Sequence, residues 1–187
     1  MAGHGHVDGH GGNKGVALLI AVLALFLALA ETGAKSAQTE ALNRNIEAAN
    51  LWAFFQARTI RQTNVRTAAE EAALGMAGAD EARRAATERQ IAAWRSTADR
   101  WESEPATGEG RRELSARARA AEAVRDRKMS AYHMYEYGSA AFQVAIVVAS
   151  ASIVTGVPLL AVGGALLGVI GLALSGLGFF APELIHL

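Results

Sequence analysis

Few side chains in this sequence carry chemistry, and the first cluster stands at its amino terminus. His4, His6 and His10 surround Asp8 in a glycine-rich run. Imidazole and carboxylate donors together suit zinc, copper or nickel. A flexible glycine-rich segment holds no preformed geometry, so the expectation is a tail with no metal and no cofactor. Glu31 and Lys35 lie four residues apart, which on a helix makes an ion pair. In a ring of copies Glu31 would instead be a gate or ion-binding position. Gln143 and Ser150 are one heptad apart. They offer either hydrogen bonds to a neighbouring helix, about 0.6 kcal/mol each inside lipid, or the polar lining of a path. His133 sits among Tyr132, Tyr135 and Tyr137 and reads as an interfacial group. There is no phosphate loop, no nucleophile with a base and no spaced carboxylate dyad. No catalytic residue is assigned, and the chain is not expected to be an enzyme.

The elements that carry these residues are set by composition. The 187 residues are 51% hydrophobic, rich in alanine and poor in aromatics, which favours helix over sheet. The absence of cysteine excludes disulfides, thiolate zinc sites and thiol nucleophiles. Seventeen of the 18 Lys and Arg residues lie between Lys35 and Lys128, beside 16 of the 18 acids between Glu31 and Gly138. Such interspersed, nearly neutral charge describes a solvated helical surface and argues against a nucleic-acid partner, which needs a basic cluster.

Three stretches are apolar enough to meet lipid: 15–34, 139–156 and 158–181. The first reads as a retained anchor and not a cleaved leader, because the segment before it is long, carries Asp8 and has one lysine. The other two, joined by Thr155-Gly156-Val157-Pro158, read as a tight transmembrane hairpin. In the third, Ala161, Gly164, Gly168, Gly171, Ser175 and Gly178 fall on one helical face at spacings of 3, 4, 3, 4 and 3. Glycine weakens a helix, so this smooth stripe implies close packing against another backbone, and Gly164, Gly168, Gly171, Ser175 and Gly178 are assigned to an oligomer interface. Basic residues cluster at Lys35, Arg44, Arg125, Arg127 and Lys128. The positive-inside rule then puts the middle in the cytoplasm and the amino terminus outside.

Residues 35–138 read as a helical, coiled-coil middle domain with breaks at Gly75–Gly78 and Glu104–Gly110. Thr87, Ile91, Trp94, Ala98 and Trp101 keep heptad spacing, and Leu114, Ala121, Val124 and Ala131 follow in similar register. Helices of about 36 Å (Asp80–Ser103) and about 42 Å (Arg111–Gly138) match as an antiparallel hairpin. That leaves Ser36–Leu74 oblique, along the membrane surface, or against another subunit. Leu42, Ile46, Ala49, Ala53 and Ile60 share one of its faces, while Leu51, Trp52, Phe54 and Phe55 fall on the others. A turn that is apolar all round calls for burial by lipid or a partner, which places Trp52, Phe54 and Phe55 at the oligomer interface. The alternative is the core of a single-chain bundle.

Several runs carry a family resemblance: Glu31-Thr32-Gly33-Ala34-Lys35-Ser36-Ala37-Gln38-Thr39, Asn50-Leu51-Trp52-Ala53-Phe54-Phe55-Gln56-Ala57-Arg58, Glu102-Ser103-Glu104-Pro105 and Phe142-Gln143-Val144-Ala145-Ile146. They resemble the bacterial membrane family known as domain of unknown function 4337 over nearly the whole chain. The resemblance implies one anchor, a charged helical middle and a carboxy-terminal hairpin. It implies no activity and no functional residue. The histidine-rich head is where this chain departs from the family pattern.

The expected fold class is therefore all-α and integral to the membrane, with three transmembrane helices, a helical coiled-coil middle and a disordered head over 1–14. The expected role is a homo-oligomeric scaffold in a bacterial inner membrane, with itself and the lipid bilayer as partners. A channel or small transporter using Glu31, Gln143 and Ser150 is one alternative. A signalling module acting through a further protein is the other.

Overall fold

Between a few breakers the chain is filled with alanine, leucine and straight-chain charged residues, which lose little entropy in a helix. The computed structural model describes residues 10–184, and these form four α-helices with no strand among the described residues: α1 His10–Leu74, α2 Glu81–Glu102, α3 Arg111–Thr155 and α4 Pro158–Phe180. The helix ends follow local signals. Asp80 caps α2, its carboxylate accepting the Arg83 amide at 2.8 Å. At the end of α3, Gly156 takes φ +71°, which a side chain rarely adopts. Ser152 Oγ donates to the Val157 carbonyl at 2.9 Å, and Pro158 opens α4, where its missing N–H costs nothing. The break between 139–156 and 158–181 thus lies where the sequence puts it. Helix α1 already includes His10–Lys14, the last residues of the head expected over 1–14, while His4, His6 and Asp8 lie outside the described residues.

Two compact units result. The first comprises Met1–Leu42 and Arg125–Leu187. Its core is Leu23, Ala30, Phe142 and Ala145, with Leu19, Phe26, Leu27, Ile146 and Leu167 packed around them. Phe26 stacks on Phe142 at 6.1 Å between ring centroids. Leu18, Leu25, Val147, Leu159, Leu166 and Phe179 point outward. By length and composition three helices, α1, α3 and α4, are apolar enough to cross a membrane, and outward leucine and valine suit such surroundings.

The second unit, Asn43–Val124, is shorter than the expected 35–138 middle. Its core joins Leu51 of α1 to Leu114 and Ala118 of α3, with Trp52 and Phe55 against them. The pairing expected here is corrected. Residues Ser36–Leu74 are no separate oblique helix but the unbroken continuation of α1. Within this unit α1 is the helix that α2 and α3 both pack on. Thr59 meets Arg111 and Trp52 meets Glu122, so α3 runs antiparallel to α1. The short turn after Leu74 makes α2 antiparallel to α1 as well, with Gln62 bonded to Ala98 and Glu102. Helices α2 and α3 therefore run in the same direction along α1, one after the other, and do not fold back as a hairpin. Glu104–Gly110 joins them without reversing the chain, because α1 already offers each an apolar face.

Candidate functional site

Helical spacing gathers most of the singled-out polar residues of the first unit into one groove. Glu31, Lys35 and Gln38 follow each other by turns of α1, and Tyr132, Glu136, Ser139 and Gln143 by turns of α3. With small Ala34 and Ala140 between them, they line an open groove of about 490 Å³. Tyr132 donates its hydroxyl to Glu136 Oε1 at 2.9 Å, and His133 Nδ1 lies 3.7 Å from Glu136 Oε2. Ser139 is 7% exposed, and its hydroxyl has no hydrogen-bond partner. The expected Glu31–Lys35 ion pair is absent among the described residues, though both side chains line the groove. Gln143 reaches the same groove, but Ser150 does not: its Oγ turns back to the Ile146 carbonyl at 2.7 Å.

The small-residue stripe of α4 does receive another backbone, and that backbone is its own chain's. A methyl group at Gly164 would stand 2.9 Å from the Ala145 carbonyl, and one at Gly171 3.0 Å from the Gly138 carbonyl. Gly168 leaves the space that Leu23 fills, Ser175 lies over Gly138, and Gly178 faces Met134. Gly164, Gly168, Gly171, Ser175 and Gly178, expected at an oligomer interface, are thus met by helices of the same chain. The periodicity identifies a face that must be met, and α3 and α1 of the same chain meet it.

The aromatic turn behaves in the same way. Trp52 donates Nε1–H to Glu122 Oε1 at 2.9 Å and packs edge-on to Phe55, while the Arg111 guanidinium lies 5.0 Å from the Phe55 ring centre. Trp52 and Phe55 are half-buried and pack on the Leu51, Leu114 and Ala118 core of the second unit. Phe54 is 37% exposed and lies beneath Arg58, 5.3 Å from its ring. Arg58 donates to Glu109 Oε2 at 2.7 Å and leaves its own Nε unpartnered.

Sequence reasoning missed the polar junction beside this turn. Gln62 is buried, and its amide donates to the Ala98 carbonyl at 2.8 Å and to Glu102 Oε2 at 3.1 Å. Arg111 donates to Gln62 Oε1 and to Glu102 Oε2, both at 2.8 Å. The hydrogen bond from Gln62, reinforced by the Arg111 charge, holds the Glu102 carboxyl below its usual range. Glu113 is likewise lowered, first by the Ser103 hydroxyl and then by the Glu104 amide. The available signal was spacing: Leu51, Phe55, Arg58 and Gln62 continue one face at intervals of 4, 3 and 4. Among the described residues, no group of three or more His, Cys, Asp or Glu is placed to hold a metal ion.

Among the described residues four helices, three of them long and apolar enough to cross a membrane, define an all-helical fold of membrane-spanning composition. The chain belongs to the family described as domain of unknown function 4337, whose sequence model matches residues 12–181. No curated protein and no solved structure matches it.

Proposed function

We propose that this chain is a non-enzymatic protein of a bacterial inner membrane that assembles with copies of itself into a scaffold. In this reading the Asn43–Val124 unit is cytoplasmic and the amino terminus lies outside, as the basic residues flanking the spans direct. The observation that carries assembly is an apolar face of α1 left open beyond the span: Ile46 is 52% and Ile60 61% exposed, with exposed Ala49 and Ala53 between them. Large apolar residues at helical spacing in a charged, water-facing region suit a seam between helices. With the α4 stripe occupied within the chain, this face takes over the role the stripe was expected to play.

Native mass spectrometry of the full chain in mild detergent tests the reading. A single oligomer that falls to monomer when Ile46→Glu and Ile60→Glu are combined is the expected result. A wild-type monomer overturns it. A second reading, an oligomeric channel or small transporter, draws on Glu31 and Gln143 sharing one groove. Reconstituted protein that passes no solute, wild type and Glu31→Gln alike, removes that alternative.

A further inference from the structure

We propose that the groove lined by Glu31, Lys35, Glu136, Ser139 and Gln143 binds the headgroup of a zwitterionic phospholipid bearing a primary amine. This rests on the reading of α1 and α3 as membrane-spanning. Direction along the two helices orders the groove. Helix α1 leaves its apolar stretch as it passes from Glu31 to Lys35, and α3 enters its own as it passes from Glu136 to Gln143. Gly33 lies against the Tyr135 ring, which sets α1 and α3 level there, so from the apolar side outward the order is Gln143, then Ser139, then Glu136 and Glu31, then Lys35. A bilayer phospholipid presents its ester and phosphate oxygens before its amine in the same direction. The Gln143 amide, an exposed donor, thus stands at the level of the lipid's acceptor oxygens. The two carboxylates, which only accept, stand at the level of the ammonium. Ser139 to Gln143 covers about 6 Å and Ser139 to Glu136 about 4.5 Å at the helical rise, the scale of a glycerophosphate headgroup.

Ser139 lies in the floor of the groove with its hydroxyl enclosed, so the exposed Gln143 amide and the Glu31 and Glu136 carboxylates are the groups a headgroup meets. Charge selects among lipids. Two carboxylates against the single ammonium of Lys35 disfavour an anionic glycerol headgroup. A choline headgroup has no N–H to give to Glu31 or Glu136, whereas an ethanolamine headgroup has three.

The full chain is reconstituted into vesicles containing equal parts phosphatidylethanolamine, phosphatidylcholine and phosphatidylglycerol and floated on a density gradient. It is then extracted and weighed by native mass spectrometry with its retained lipid. The expected result is flotation, with the ethanolamine lipid retained about tenfold over the choline lipid, the size of one charge-assisted hydrogen bond. The paired variant Glu31→Gln, Glu136→Gln keeps side-chain size and floats, but loses that preference. Flotation with no preference, with the choline or glycerol lipid preferred, or with the preference intact in the variant overturns the headgroup assignment and leaves the spanning reading standing. Failure of the wild type to float overturns both. Displacement of the lipid by soluble phosphoethanolamine overturns the lipid as the source and assigns the groove to a soluble amine phosphate.

Discussion

Gln62 Oε1 accepts a 2.8 Å hydrogen bond from Arg111 Nη1, and that same nitrogen donates to Glu102 Oε2 at 2.8 Å. One amide on α1 thereby joins the end of α2 to the start of α3. Because Gln62 is only 2% exposed, water cannot readily replace it. Replacing Gln62 with leucine leaves the Arg111 guanidinium and the Glu102 carboxylate short of a partner each. The expected cost is about 2–4 kcal/mol of unfolding free energy, as for one partner removed from a buried polar network. Urea unfolding of the full chain in detergent, followed by circular dichroism, measures it. An unchanged midpoint would show that the junction contributes nothing.

The same junction gives a dependence on pH. Glu102 and Glu113 both have folded-state values below the ordinary 4.5. For a carboxyl lowered by folding, the unfolded chain binds protons first as pH falls. Their stabilisation is therefore complete above about 4.5 and fades as pH drops below it through the lowered values. Thermal unfolding scanned from pH 7 to pH 3 is expected to show a falling midpoint below about 4.5, with a smaller fall in Gln62→Leu, which removes the largest cause at Glu102. An identical fall in both proteins would assign the acid sensitivity to other groups.

What the sequence made legible was local. The turn at Gly156–Pro158 and the cap at Asp80 are punctuation that no distant contact can move. The face carrying Gly164, Gly168 and Gly171 was equally plain, because a period needs only a few turns to show. The partner of that face was not legible, since periodicity says that a surface is met and not by what. The loop before α3 misled for a related reason. Pro105, Gly108 and Gly110 have reversal composition, but whether the chain reverses there depends on α1 offering Gln62 to both helices. Gln62 itself was passed over because a lone glutamine in the polar run Arg61-Gln62-Thr63-Asn64 reads as solvent-facing.

Two glycines of α4 separate packing from propensity. A methyl at Gly171 would lie 3.0 Å from both the Gly138 carbonyl and the Phe142 ring, while one at Gly176 meets nothing within 4 Å. Gly171→Ala is therefore expected to lower the thermal midpoint in detergent, with an overpacking cost of about 1–3 kcal/mol. Gly176→Ala should leave the midpoint unchanged or raise it, since alanine exceeds glycine in helix propensity by about 1 kcal/mol. If the two variants behaved alike, the close approach of α4 to α3 would be wrong.

Trp52 decides between a core and an interface by separating stability from subunit number. Its Nε1–H is given to Glu122 and its ring packs on Phe55 within one chain. Trp52→Phe keeps most of the ring and loses the hydrogen bond, for an expected loss of about 1 kcal/mol. Trp52→Ala also removes the apolar contact with the Leu51, Leu114 and Ala118 core, for about 2 kcal/mol or more. Neither change alters an oligomer held along Ile46 and Ile60, so the mass of the native assembly is expected to stay as in the wild type while its unfolding midpoint falls. Dissociation at an unchanged midpoint would return Trp52 to the boundary between copies, since a residue buried only by a partner is lost from the assembly before it is lost from the fold.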